Sequence, residues 1–390
     1  MAFPLCVELQ ASEFLYSMEK SYSSNYHSFP LCSKIIISPM TVSEIIGAQN
    51  DASLESEASE NASTNENSEQ FPTQATHAGP KLIEEYIRED PSDVDLSGLR
   101  IFSLDEVNDA LDRVGSEVHT LTLKKNLIHD LTELPDHVAS TLRTLDLYDN
   151  KIRRIVNVGN LKNLVKLDLS YNQIEHLEGL EELTNLEELY LVENRIGHIK
   201  GLESLKKLRI LELGGNRIRK VSSESLRNLV SLRELYLGKN KITCVGDLSI
   251  LPALNTLSLQ ANRLRAIPLE TFANCTSIKQ IYLAENGIQS IDSAPLQNLT
   301  QLKVLDLSMN PISSLKGIEQ IGKETLLEFW CTSASISSFE EVQRLAAHTQ
   351  LETVFFEQNP IQQKETRYAW RIAAVLPQVK AIDLSPVPGR

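Results

Sequence analysis

From about residue 118 the chain repeats a short phrase of alternating apolar and polar residues every 22 to 25 positions. The units open as VHTLTLKKNLI, LRTLDLYDNKI, LVKLDLSYNQI, LEELYLVENRI, LRILELGGNRI and LRELYLGKNKI. They continue as LNTLSLQANRL, IKQIYLAENGI, LKVLDLSMNPI, LLEFWCTSASI and LETVFFEQNPI. In each, two apolar residues flank one polar or aromatic residue, which is the period-two pattern of a short strand with its apolar side chains turned inward. An Asn follows at a fixed offset, from Asn126 to Asn359. Its amide is suited to backbone groups that a sharp bend leaves unpaired. The apolar residues after the Asn come three apart, which predicts 3₁₀ or short helical turns rather than long helices.

A unit of this size buries its apolar face only against its neighbours, so the units must stack and the ends need caps. The phrase LxxLxLxxNxI is the leucine-rich-repeat pattern, and about eleven copies in register make it a specific signal. The expected fold is an α/β leucine-rich-repeat solenoid. It has a curved parallel sheet on the concave face, short turns on the convex face and a C-terminal helical cap. The expected domains are a disordered acidic tail over 1–80, an N-terminal cap over 90–117, repeats over 118–360 and a C-terminal cap over 361–390. The C-terminal cap reads as a helix in TRYAWRIAAVLPQV, with Ala369, Ile372, Ala373 and Leu376 as its stripe and Pro377 as its stop.

Composition changes this picture in two places. Between Lys34 and Lys81 there is no Lys or Arg, and NDASLESEASENASTNENSEQ is poor in large apolar residues. Such a segment buries too little surface to offset its ordering entropy, which is the basis for expecting disorder. The net charge of -14 argues against nucleic acid or an anionic membrane as the main partner and favours a basic protein face. The five cysteines include no CxxC pair, so neither a disulfide framework nor a zinc site is expected. MAFPLCVELQASEFLYSMEK lacks a basic lead and carries Glu8 and Glu13, so no signal peptide is expected either.

No HExxH, GxSxG or Gly-rich phosphate loop is present, so neither an enzyme nor a cofactor is expected. His176 and His198 share one offset in adjacent repeats. Two solvent-facing turn residues are the simpler reading of that pair than a metal site.

The informative column lies between the second and third apolar residues, where the side chain points away from the core. It holds Asp146, Asp168, Glu212 and Asp306, interleaved with Tyr190, Tyr236, Tyr282, Trp330 and Phe355. A second column two residues earlier adds Glu188, Glu234 and Glu328. Aromatics covering a sheet by mutual stacking would explain one tyrosine. A whole column of rings and acids fits a protein-binding strip whose partner offers basic and apolar patches. One unit departs from the rest. In EFWCTSAS, Trp330 fills the column and Ala334 replaces the Asn, so a locally irregular turn is expected there, with Thr332, Ser333 or Ser335 supplying the lost hydrogen bond.

LRTLDLYDNKIRRI, LRILELGGNRIR, LRELYLGKNKIT, LLEFW, LETVFFEQNPIQ and the capping YAWRIAAVLPQVKAID together resemble one family. It is the leucine-rich regulatory subunits of type-one protein phosphatase, of the suppressor-of-dis-two type, and the resemblance covers residues 93 to 383. It implies a non-enzymatic protein of nucleus and cytoplasm that binds the phosphatase catalytic subunit through concave residues. Carried over by position, these are Asp168, Tyr190, Glu212, Tyr236, Asp306, Glu328, Trp330 and Phe355. The resemblance also admits a further phosphatase inhibitor in a ternary complex. The competing expectation is a leucine-rich-repeat structural adaptor of a ciliary or cytoskeletal assembly.

Overall fold

The computed structural model describes residues 79–387, apart from 269, 292 and 293. The acidic tail expected over 1–80 lies almost wholly outside the described residues. The concave sheet is built from strands three residues long: β1 (Asp93–Asp95), β2 (Thr120–Thr122), β3 (Thr144–Asp146), β4 (Lys166–Asp168), β5 (Glu188–Tyr190) and β6 (Ile210–Glu212). After β7 (Lys220–Val221) come β8 (Glu234–Tyr236), β9 (Cys244–Val245), β10 (Thr256–Ser258), β11 (Gln280–Tyr282) and β12 (Val304–Asp306). The last are β13 (Glu328–Trp330), β14 (Thr353–Phe355), β15 (Ala381–Ile382) and β16 (Ser385–Pro386). Fourteen of them form one sheet in chain order, while β7 and β9 pair separately between convex segments.

All pairings in the large sheet are parallel and unshifted up to β15; β16 then folds back antiparallel on β15. The central residue of each strand, such as Leu167, Leu189 or Phe329, is buried, and its two neighbours turn to the other face. The convex side is made of turns with short helical pieces, among them α3 (Asp136–Ala139), α4 (Ser223–Leu226), α5 (Phe339–Gln343) and 3₁₀ turns at Ile318–Gln320 and Arg344–Ala347.

The Asn residues form an internal ladder. Asn150 donates from Nδ2 to the carbonyls of Leu123 at 2.9 Å and Leu147 at 3.0 Å, and its Oδ1 accepts the Ile128 N–H at 3.1 Å. Each Asn thus ties its own bend to the preceding repeat. The residue before it adopts a left-handed backbone, as at Lys125, Asp149, Tyr171 and Glu193, with Gly215 filling the position once. That conformation costs a non-glycine residue roughly 1–2 kcal/mol, and the buried amide network offsets it.

The Ala334 turn is regular, contrary to the sequence expectation. Ser333 keeps the left-handed backbone with φ 53°. The Ile312 N–H, which would have bonded an Asn at 334, turns instead to the Asn310 carbonyl at 2.8 Å. Pro311 stands at the centre of that three-residue turn, and its fixed φ suits it. The hydroxyls of Thr332, Ser333 and Ser335 do not replace the Asn; Ser333 bonds Gln358.

Both ends are covered. α1 (Pro80–Glu89), which the sequence pattern did not reveal, buries Ile83 and Ile87 and packs on α2 (Leu104–Val114). An Arg113–Glu84 ion pair at 2.6 Å joins the two helices. α2 starts at a Ser103 cap and stops at Gly115 in left-handed geometry. At the other end, α6 (Pro360–Lys364) leads to α7 (Tyr368–Val375), which buries Tyr368 and Ile372. The Tyr368 hydroxyl donates to Asp383 at 2.9 Å, and Asp383 accepts the Phe356 N–H at 2.7 Å. These bonds satisfy the backbone just beyond β14.

Candidate functional site

The outward column divides into two clusters. Asp168, Tyr190, Glu212 and Tyr236 lie side by side on β4, β5, β6 and β8, each in register with the next. Asp306, Trp330 and Phe355 lie side by side on β12, β13 and β14, and Glu328 starts the same strand as Trp330. Ser258 and Tyr282 stand between them. Three strand steps part the clusters, about 14 Å at the usual spacing.

One small motif recurs: a Glu and an aromatic two residues apart, with the ring's polar atom folded back on the carboxylate. The Tyr190 hydroxyl donates to Glu188 at 3.0 Å, the Tyr236 hydroxyl to Glu234 at 2.7 Å, and the Trp330 indole N–H to Glu328 at 3.2 Å. These bonds hold each ring folded back along its own strand. The Trp330 and Phe355 rings pack with centroids 4.6 Å apart and tilted by 48°. Lys166 reaches both Glu188, at 3.6 Å, and the face of the Tyr190 ring, at 5.0 Å.

The face is more closely packed than an open ladder. Glu212 is only 6% exposed, because Tyr190 and Tyr236 flank it in register, and Tyr236 is 8% exposed between Glu212 and Ser258. Burial, with the Asp168 charge adding to it, pushes the Glu212 carboxyl up to about 7. Burial also raises Asp168 and Asp306, although each accepts a backbone N–H at 2.9 Å, from Ser170 and Ser308 respectively. Those two acids therefore serve their own turns with one oxygen. Burial and Glu188 together raise the Tyr190 phenol, so it remains a donor. A cluster of buried acids is under electrostatic strain that a cation from outside relieves.

The sequence reading missed the edge of this face. Tyr148 and Tyr171 pack at 4.9 Å, and Tyr171 is exposed. Tyr148 lies two residues beyond Asp146, so a third column of the same period contained it. Also unread was the Lys124–Asp146 pair at 3.0 Å. His176 and His198 are exposed and lie outside the concave clusters. Among the described residues, no group of three or more His, Cys, Asp or Glu side chains could hold a metal ion, and no helix is long and apolar enough to cross a membrane.

Leucine-rich-repeat family models match residues 137–247 and 252–312. The chain is 37% identical over 92 residues to the centrosomal protein of 72 kDa of Mus musculus, covering 24% of this chain and 14% of that protein. It is 38% identical over 69 residues to the protein phosphatase 1 regulatory subunit SDS22 of Schizosaccharomyces pombe, covering 17% of this chain and 21% of that protein. Each match therefore spans only a minor part of the relative's own length. The solved structure of a leucine-rich-repeat protein of Leptospira interrogans superposes with a TM-score of 0.55 at 21% identity, over 77% of this chain and 87% of that one. This last likeness concerns the fold alone.

Proposed function

Taking as premise that the chain is a leucine-rich-repeat solenoid serving protein–protein interaction, we propose that it is a non-enzymatic regulatory subunit of type-one protein phosphatase. It grips the catalytic subunit with the concave face, and Asp168, Tyr190, Glu212, Tyr236, Asp306, Glu328, Trp330 and Phe355 carry the contact. The observation that supports this best is the repeated Glu–aromatic pair, which presents oriented rings beside carboxylates: Glu188 with Tyr190, Glu234 with Tyr236, Glu328 with Trp330. Rings of this kind anchor interfaces, and the acids steer a basic partner and fix its register. The relative named as a phosphatase regulatory subunit gives the partner its identity in this reading. A further phosphatase inhibitor completing a ternary complex, and a place in nucleus and cytoplasm, belong to the same proposal.

A second reading is a structural adaptor of a ciliary or cytoskeletal assembly, favoured by the centrosomal relative. A pull-down from cell lysate separates the two. Wild type is expected to retain the type-one catalytic subunit, and a folded Glu328→Ala/Trp330→Ala variant to lose it. Retention of centrosomal proteins without phosphatase sinks the first reading. Equal retention by the folded variant sinks the site assignment.

A further inference from the structure

The chain's acidity is not uniform: a basic stripe runs along the edge where each strand turns after its Asn. The position directly after the Asn holds Lys151, Arg195, Arg217, Lys241 and Arg263 in five of six consecutive repeats, with Gln173 in the sixth. Two residues further on lie Arg153, Arg219 and Arg265, and one beyond those Arg154 and Lys220. The only acid at any of these positions is Glu175, and His176 and His198 share the last of them. Most of these cations are exposed, Lys151 and Lys241 less so. Among the described residues, none of them makes an ion pair or a side-chain hydrogen bond, although Lys and Arg elsewhere in the chain do so often.

The backbone holds the rows of the stripe in register. The N–H after each Asn bonds the preceding repeat: Lys151 to the Ile128 carbonyl at 2.9 Å, Arg195 to Ile174 at 2.8 Å, Arg217 to Ile196 at 2.9 Å and Arg263 to Ile242 at 2.9 Å. Successive cation rows are thus one strand spacing apart, and six of them cover about 25 Å. The stripe is also narrow. Asp149 and Glu193 flank it towards the concave face, and Glu178, Glu181 and Glu203 lie on the convex segments of the same repeats.

We infer that this edge is a second interaction surface, for an extended acidic segment of a partner protein. Unpaired like charges side by side repel one another, and a polyanion laid along them relieves that cost. Most of the cations are Arg, whose planar fork suits carboxylates. An extended chain advances about 3.3 Å per residue, so roughly eight residues span the stripe. A bilayer or a nucleic-acid duplex is far wider and would press its phosphates on the flanking acids. No aromatic side chain occupies the stripe positions, so there is no platform for the bases of a single strand. This surface is distinct from the concave clusters and does not depend on the phosphatase reading.

The test uses the full chain and a fluorescent oligoglutamate peptide long enough to cover the stripe, read by anisotropy at low and physiological salt. Binding is expected, falling steeply with salt. Arg217→Glu/Arg219→Glu should weaken it about tenfold or more. Lys206→Glu/Lys323→Glu makes the same change in net charge away from the stripe and should leave affinity within about twofold. Glu328→Ala/Trp330→Ala should bind the peptide as wild type does, which keeps this test separate from that of the concave face. Absence of peptide binding, equal loss in both charge-reversal variants, or tighter binding to phosphatidylserine vesicles or to single-stranded oligothymidylate overturns the proposal. All the substituted cations are exposed, and an unchanged melting temperature excludes unfolding as the cause.

Discussion

Trp330 donates its indole N–H to Glu328 on its own strand, at 3.2 Å, while its ring packs against Phe355 on the neighbouring strand. The carboxylate has two tasks, orienting the ring and presenting a charge, and conservative variants separate them. Glu328→Gln keeps an acceptor for the indole and loses the charge. In the proposed complex with the phosphatase catalytic subunit it should weaken binding modestly and flatten the salt dependence. Trp330→Ala removes the anchor and should cost about 2 kcal/mol or more. Calorimetric titrations at two ionic strengths measure both effects. A Glu328→Gln complex with an unchanged salt dependence shows that the charge is not used.

Glu212 gives the face a pH dependence. Its folded-state pKa lies at about 7, above the ordinary 4.5, because it is buried between Tyr190 and Tyr236 with Asp168 nearby. The folded protein therefore holds this proton more tightly than the unfolded chain. Wild-type stability from this group is intact below about pH 4.5 and is lost as pH rises through about 7. Glu212→Gln stays neutral throughout. It should match wild type near pH 4.5 and exceed it above pH 7 by on the order of 3 kcal/mol. Urea melts across that range check this, and a constant offset at all pH values contradicts it. A cation docking on Glu212 expels the proton, so affinity for a basic partner should rise between pH 6 and 8, in the range where Glu212 titrates.

Much of this was legible in the sequence because the repeat copies one local solution many times. Leu167, Leu189 and Leu211 had to be central strand residues, since a slip by one would turn each of them to solvent. The column of Tyr190, Glu212 and Trp330 follows from the same parity. What remained hidden depends on neighbours. The period places Glu212 on the face but does not say that two tyrosines bury it. α1 escaped because its stripe is only Ile83 and Ile87 within a charged segment. The basic stripe escaped because a net charge of -14 averages over surfaces that never mix. Its residues were readable at three fixed offsets from the Asn of six consecutive repeats.

Asn240 measures the worth of one rung of the internal ladder. It donates to the carbonyls of Leu213 at 2.9 Å and Leu237 at 3.1 Å, and accepts the buried Ile218 N–H at 3.0 Å. Asn240→Ala leaves that N–H without its acceptor and removes these donated bonds, with a further one to the Gly238 carbonyl at 3.2 Å. An unsatisfied buried group costs roughly 1–3 kcal/mol, so a total of about 2–4 kcal/mol is expected. Amide exchange at Ile218 should accelerate more than exchange in distant repeats, since each unit leans only on its neighbours. Uniform acceleration along the whole chain contradicts a local role.

Ala334 offers the reverse experiment. The ladder lacks one Asn there, yet its backbone partners are not left orphaned. The Leu307 carbonyl accepts from Asn310 at 3.0 Å, the Cys331 carbonyl from Asn359 at 2.6 Å, and the Ile312 N–H finds the Asn310 carbonyl at 2.8 Å. The last of these closes a three-residue turn, whose bent hydrogen bond is weaker than a straight one. Ala334→Asn offers Ile312 a better acceptor and gives both carbonyls a second donor. The gain should be limited to about 1 kcal/mol, because bonds are exchanged rather than created. A higher urea midpoint with slower exchange at Ile312 is the expected result. A lower midpoint means that the turn at Pro311 and the Asn are alternatives that cannot coexist, and that this repeat is closed by its proline instead.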